Sequence, residues 1–215
     1  GWDNQQPQKT KIKTQQPPVP RQHSRYHRGH LQIYPLACLM MMAADGWYNY
    51  NGREAVPPGV TRVRIDESLT VIPAAAFYGN LDIEEVECHV GVKTVEERAF
   101  RECDSLRRVI MPGVEEVEDW AFDECRALED VECGKLEIIG DSAFNCCESL
   151  TIINLPSAKI VEEYAFDNCT ALTNVEFGKE LESIGRGAFY GCTSLQRITI
   201  PLKNGMITHD GIFQG

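Results

Sequence analysis

The chain lacks most of what marks a catalytic or membrane-spanning protein. Its main apolar stretch, within LQIYPLACLMMMAADG at 31–46, is too short to cross a bilayer and is interrupted by Pro35. There is no Gly-x-Ser-x-Gly elbow, no Gly-x-x-x-x-Gly-Lys phosphate loop and no His-Glu-x-x-His pair. Close Cys-x-x-Cys pairs, which structural zinc sites use, are missing as well. Cations are in deficit, with 21 Lys and Arg against 32 Asp and Glu and a net charge of -11. Phosphate attraction needs clustered Lys and Arg on the folded surface, so nucleic acid is not expected as a partner. These absences point to a non-catalytic chain with no membrane span, no cofactor and no metal.

The charge is unevenly spread. Residues 1–58 hold seven cations against three carboxylates, a net +4, which leaves -15 for the remainder. Residues 1–30 are rich in Gln, Pro and cationic residues and poor in apolar ones, so they are expected to be a disordered basic tail. His23, His27 and His30 are spaced like ligands on a helix face, but the neighbouring prolines favour a solvated tail. Residues 31–58 read as a linker or docking segment. Basic residues upstream and Ala43-Ala44 downstream give 31–46 a faint likeness to a signal peptide, although it begins only at residue 31.

From residue 59 a repeat takes over. Phe77, Phe100, Phe122, Phe144, Phe166 and Phe189, each preceded by Ala, are separated by 23, 22, 22, 22 and 23 residues. A fixed period in this range means stacked units, each burying its apolar side on the next. Five residues before each Phe stands Ile or Val, from Ile72 to Ile184. Three residues after it stand Asn80, Cys103, Cys125, Cys147, Cys169 and Cys192, and three further on Ile83 or Leu. Alternating runs such as Val109-Ile-Met111 and Ile153-Asn-Leu155 then predict a strand with one buried face. Pro112, Pro156 and Pro201 end these strands. The Val-x-x-x-Ala-Phe stretch is expected to be a short helical turn, with Ala for close approach and Phe for bulk.

This frame resembles leucine-rich repeats of the BspA type, over roughly residues 60–215. The resemblance implies an α/β right-handed leucine-rich-repeat solenoid, with a β-strand plus a short helical turn in each 22–23-residue repeat and a parallel sheet on the concave side. It implies adhesion and interaction modules, many on microbial surfaces, with no cofactor and no catalytic residues. Asn80 in place of Cys fits an atypical first repeat. Phe213 follows at a spacing of 24, within GMITHDGIFQG, and the array is expected to run on past the last residue.

Nine cysteines, an odd count, argue against a fully paired framework. Equivalent positions in adjacent units lie about 5 Å apart, farther than disulfide Cβ atoms require, so a row of free thiols is expected. Of the adjacent pair, Cys147 should point inward and Cys146 outward, which makes Cys146 the candidate modifiable thiol. Free thiols favour a reducing compartment and the family resemblance a cell surface, so the compartment stays open. Glu96-Glu97, Glu118-Asp119 and Glu162-Glu163 would stack into an acidic ridge, read as a solvated face at helix N-termini.

The solvent side of the sheet can be written as two rows. One is Arg62, Glu85, Arg108, Asp130, Ile152, Asn174, Arg197, and its neighbour is Arg64, Glu87, Ile110, Glu132, Asn154, Glu176, Thr199. Variable polar groups around isolated apolar anchors suit protein recognition. The expected binding residues are therefore Ile110 and Ile152, with Arg108, Asp130, Glu132, Asn154, Asn174 and Glu176 around them. The expected function is a monomeric protein-interaction scaffold. The alternative is a surface adhesin or carbohydrate-contacting module, for which the rows supply no aromatic residue. Phe77, in the first unit, is expected to contribute less to stability than Phe144 in the middle.

Overall fold

The computed structural model describes residues 45–201, 207–208 and 211–213. The basic tail, the signal-like stretch up to residue 44, and His209 lie outside the described residues. Each sequence period becomes one coil carrying two strands. The longer strands are β1 (Tyr48–Tyr50), β2 (Arg62–Ile65), β4 (Glu85–Glu87), β6 (Arg108–Ile110), β8 (Asp130–Glu132), β10 (Ile152–Leu155), β12 (Asn174–Phe177) and β14 (Arg197–Thr199). The two-residue strands are β3 (Val71–Ile72), β5 (Thr94–Val95), β7 (Glu116–Val117), β9 (Ile138–Ile139), β11 (Ile160–Val161), β13 (Ser183–Ile184) and β15 (Ile207–Thr208).

All pairing is parallel and places equivalent residues side by side, as in Val86↔Val109 and Ile72↔Val95. The inward positions explain the strands. Val63, Val86, Val109, Val131, Ile153 and Val175 are β-branched and buried, and their neighbours along each strand face solvent. The short strands form one continuous sheet of seven, β3 through β15. The long strands do not. They divide into a five-stranded sheet, β1-β2-β4-β6-β8, and a three-stranded sheet, β10-β12-β14.

The expected helical turn is not present among the described residues, and the backbone shows why. Around each Ala-Phe, two positions adopt left-handed φ, such as Arg98 (58°) and Glu102 (60°), or Tyr164 (53°) and Asn168 (54°). A residue in that region stops α-helical propagation. The amides then point along the stack instead of back along their own turn. Arg98, Phe100 and Glu102 N–H donate to the carbonyls of Asp119, Ala121 and Asp123 at 3.1, 2.7 and 2.8 Å. The same triplet recurs at Trp120, Phe122 and Glu124, and again at Ser142, Phe144 and Cys146. A third ladder of coil-to-coil hydrogen bonds thus replaces the helix. These bonds hold in place a conformation that costs a non-glycine residue roughly 1–2 kcal/mol.

Inside, equivalent residues stack in columns. Phe77 to Phe189 form a column of near-parallel rings whose centroids are 4.7 to 5.4 Å apart. Phe213 continues it, 6.1 Å from Phe189. The cysteine column is reduced, and the eight described cysteines are all free. Five of the thiols share one partner type: Cys103, Cys125, Cys147, Cys169 and Cys192 donate from Sγ to the Phe carbonyl of the coil before, at 3.1–3.3 Å. Asn80, in the same frame, instead accepts at Oδ1 from the amides of Asp82 and Ile83, at 2.9 and 3.0 Å.

The segment read as linker or docking peptide is docked from Trp47 onward. Tyr48–Tyr50 pairs with Val63–Ile65 as the first strand of the long-strand sheet. Tyr48 and Tyr50 are buried, and the Tyr50 ring lies 4.6 Å from Phe77 at a 54° tilt. Phe77 is consequently covered on both sides, by Tyr50 and by Phe100, so the expectation that it matters less than Phe144 is revised. Both Phe77→Ala and Phe144→Ala are expected to cost about 3–5 kcal/mol in urea unfolding. A Phe77→Ala loss less than half that of Phe144→Ala would contradict the cap formed by Tyr50.

Candidate protein-binding face

The outer face of the long-strand sheet follows from strand register. In one row Arg62↔Glu85, Glu85↔Arg108 and Arg108↔Asp130 are directly paired. After the break between β8 and β10 the row resumes with Ile152↔Asn174↔Arg197. The second row reads Arg64↔Glu87↔Ile110↔Glu132, then Asn154↔Glu176↔Thr199. All eight expected binding residues thus lie on one face. Arg108, Asp130, Glu132, Asn154 and Glu176 are exposed, whereas Ile110 and Asn174 are half-buried. Ile152 is 50% exposed, and it is the one of the eight that is both apolar and largely in solvent.

Charge organises the two halves of this face differently. On the N-terminal half neighbouring strands pair their ions: Arg62 with Glu85 at 3.1 Å and Arg64 with Glu87 at 3.0 Å. Arg108 reaches across to both Asp130, at 3.2 Å, and Glu132. Its hydrogen bond to Glu132 leads the causes that hold the guanidinium pKa above its ordinary value. The Arg62 and Arg64 guanidiniums also lie over the Trp47 ring, 4.3 and 4.9 Å from its centroid. Reading the rows alone missed Trp47, although the aromatic alternation Trp-Tyr-Asn-Tyr was a usable strand signal. On the C-terminal half the outward positions from Ile152 to Glu176 carry no cation.

The two halves meet at an opening. Among the described residues no backbone hydrogen bond crosses from 129–133 to 151–155, although the coils before and after this level are bonded there. The Asn154 carbonyl, whose counterparts Ile110 and Glu132 accept a backbone amide, is left to the Cys133 thiol at 3.8 Å. Val131 is 8% exposed, where Val109 and Ile153 are 1%. The result is a cleft of about 600 Å³, with Glu129, Asp130 and Glu132 on one rim and Ile152 and Asn154 on the other.

Three of the six carboxylates of the expected acidic ridge serve the backbone, and Glu97 pairs with Arg98 at 2.8 Å. Glu96 accepts the Ala74 amide at 2.9 Å, Glu118 the Glu97 amide at 3.1 Å and Asp119 the Asp141 amide at 3.0 Å. They cap amides of neighbouring coils, not helix N-termini. His89 is similarly engaged: Nδ1 accepts the Gly91 amide and Nε2 meets the Leu69 carbonyl at 3.0 Å. Among the described residues no cluster of three His, Cys, Asp or Glu stands close enough to hold a metal, and no helix is long and apolar enough to cross a membrane.

Cys147 is fully buried and Cys146 half-buried, the inward and outward pair that their adjacency predicts. Burial raises the Cys146 pKa, and the surrounding carboxylates, Asp123 first, raise it further. Burial pushes Cys103 up to about 12. Since the thiolate is the reactive form, Cys146 should alkylate slowly at neutral pH and faster as pH rises. Peptide mapping after iodoacetamide treatment of the native chain should find Cys146 modified ahead of Cys103 and Cys147. Equal labelling of the three would contradict the burial gradient.

Residues 59–160 and 137–214 match, in six copies, the family described as the BspA type leucine-rich repeat region. Curated proteins give no sequence match. Among solved structures, a leucine-rich repeat protein from Bacteroides ovatus is 29% identical over 69% of this chain, with a TM-score of 0.62. The chain spans only 39% of that protein. The leucine-rich repeat protein of T. pallidum is 26% identical, with 72% of this chain and 74% of that one covered and a TM-score of 0.64. Repeat, coil geometry and matched residues agree: the chain belongs to the BspA-type leucine-rich repeat family.

Proposed function

We propose that the chain is a non-catalytic protein-interaction scaffold that binds its partner on the outer face of the long-strand sheet. The observation that carries this reading is Ile152. It is half exposed on β10, the edge strand of the three-stranded sheet beside the opening, ringed by Asp130, Glu132, Asn154, Asn174 and Glu176. An apolar anchor inside a polar rim is the arrangement in which a few contacts carry most of the binding energy. Ile110, half-buried beside Glu87 and Glu132, is the secondary anchor. Membership of a repeat family that is generally non-enzymatic and mediates protein binding or surface interaction supports the same reading.

Arg108, Asp130 and Glu132 set orientation. Their mutual pairing fixes the side chains before binding, so a partner meets an ordered charge pattern instead of ordering it at entropic cost. Ile152→Asp should weaken capture of a partner by the full chain by about tenfold or more while leaving thermal unfolding nearly unchanged, because the side chain is half in water already. The comparison is made by mass spectrometry of proteins retained by wild type and variant. Identical retention by both would remove this face as the binding surface.

A further inference from the structure

The residues that follow each Phe of the column, Tyr78, Arg101, Asp123, Asn145, Asp167 and Tyr190, stack in a column of their own on the turn side of the coils. Two aspartates stand in it, one coil to either side of Asn145, and they are served unequally. Asp123 is buried and doubly supplied: Arg101 Nε lies 2.9 Å from its Oδ2, and Asn145 Nδ2 donates to its Oδ1 at 2.9 Å. Asp167 has a buried Oδ1 that meets no donor among the described residues.

The Asn145 amide sets the two acids apart. Because Nδ2 is engaged with Asp123, Oδ1 is turned from that coil toward the side on which Asp167 stacks, where the Cys146 thiol meets it at 3.4 Å. The reverse orientation would place the amide oxygen against the buried Asp123 carboxylate, acceptor against acceptor. The more deeply buried acid therefore keeps the donor. Adjacent coils stand about 4.8 Å apart, and the Cys146 amide donates to the Asp167 carbonyl at 2.8 Å, so the Asn145 and Asp167 side chains are neighbours across one coil spacing. The oxygens that meet there are both acceptors, and a proton is needed to join them. We propose that Asp167 holds a proton in the folded chain and donates it from Oδ1 to Asn145 Oδ1, completing a column Arg101, Asp123, Asn145, Asp167 whose last contact is present in acid and lost in base.

The surroundings favour the neutral acid. Asp123, Glu124, Glu148 and Asp167 gather around Cys146, and the cations of this side are engaged elsewhere, Arg101 with Asp123 and Arg126 with Asp104, Glu124 and Glu148. The coil after brings Tyr190 in the same frame and the exposed Arg186, and the Tyr164 ring of the same coil lies against Gly187. Burial raises the Asp167 pKa, against a smaller opposing effect of the Asn168 amide. Burial raises Asp123 as well, but there Asn145 and Arg101 oppose it. An unfolded Asp titrates near 3.9, so the folded chain binds this proton more tightly. The contact's contribution to stability is complete below about pH 4 and is lost as pH rises through the higher folded pKa.

Thermal unfolding of the full chain tests this, because Asp167→Asn places an N–H donor at the same position at every pH. The variant should match the wild type near pH 4 and exceed it increasingly as pH rises, by about 3–5 °C in Tm for each tenfold difference in proton affinity between folded and unfolded Asp167. Carbon-13 NMR of the wild type, assigned through the Asp167 amide, reads the proton without depending on the variant's folding: the Asp167 carboxyl should titrate above the unfolded value, and Asn145→Ala should move it down. A Tm gap that is constant or closes as pH rises overturns the proposal, as does an Asp167 carboxyl that titrates at or below the unfolded value. A raised titration that is unchanged in Asn145→Ala also overturns it, by assigning the proton to burial alone.

Discussion

The rise of one coil on the next is set by a backbone hydrogen bond, and every other feature adapts to that spacing. Adjacent strands stand about 4.8 Å apart, so each side chain packs directly on its own counterpart in the next coil. A position therefore has to hold a residue that packs well against copies of itself. Phe does so as displaced parallel rings, with centroids 4.7 to 5.4 Å apart along the column. Cys does so because a thiol can donate to the Phe carbonyl of the coil before it, which then accepts both that thiol and the amide three residues on in its own coil. Free thiols follow from this use: a disulfide would require two sulfurs to leave their carbonyls and approach each other.

The same rule explains what the sequence could and could not reveal. Both outward rows were legible, because the period carries every strand forward in one register and the inward Val and Ile positions fix which residues face out. The Ala-Phe turn was misread as helical because most of its left-handed positions hold residues such as Arg98, Glu102, Trp120 and Tyr164 that give no backbone signal, and the Gly79, Asn168, Gly187 and Gly191 that share the frame were not read as one. What permits them is the coil-to-coil ladder, a tertiary property. Strand β1 escaped the repeat frame because it has no Ala-Phe element, although Tyr48 and Tyr50 alternate as a half-buried strand should. The opening between β8 and β10 left no trace in the spacing, which is 22 residues from Phe122 to Phe144 and again to Phe166.

Electrostatics divides the long-strand face into two parts. Arg62, Arg64 and Arg108 meet their carboxylates within it, and Trp47 supports the first two from beneath. Beyond the opening the outward positions offer Ile152, Asn154, Asn174 and Glu176, with little internal pairing. A self-paired surface has small electrostatic gain left to offer a partner, whereas an unpaired one keeps its hydrogen-bonding groups available. The division falls at the opening, so Ile152 and Asn154 stand beside the cleft.

Most levels of the coil stack are tied by three parallel ladders, but the level between Leu128 and Leu150 keeps only the short-strand ladder and the turn ladder. Regarded as a beam, the molecule has one joint of lower stiffness, placed on one side of its cross-section. A bending load divides the strain among bonded layers and concentrates it where a layer is missing, so curvature changes there before it changes elsewhere. The array is then two stiff spans joined by a one-sided flexure, and the angle between them is the coordinate along which this repeat protein deforms most easily.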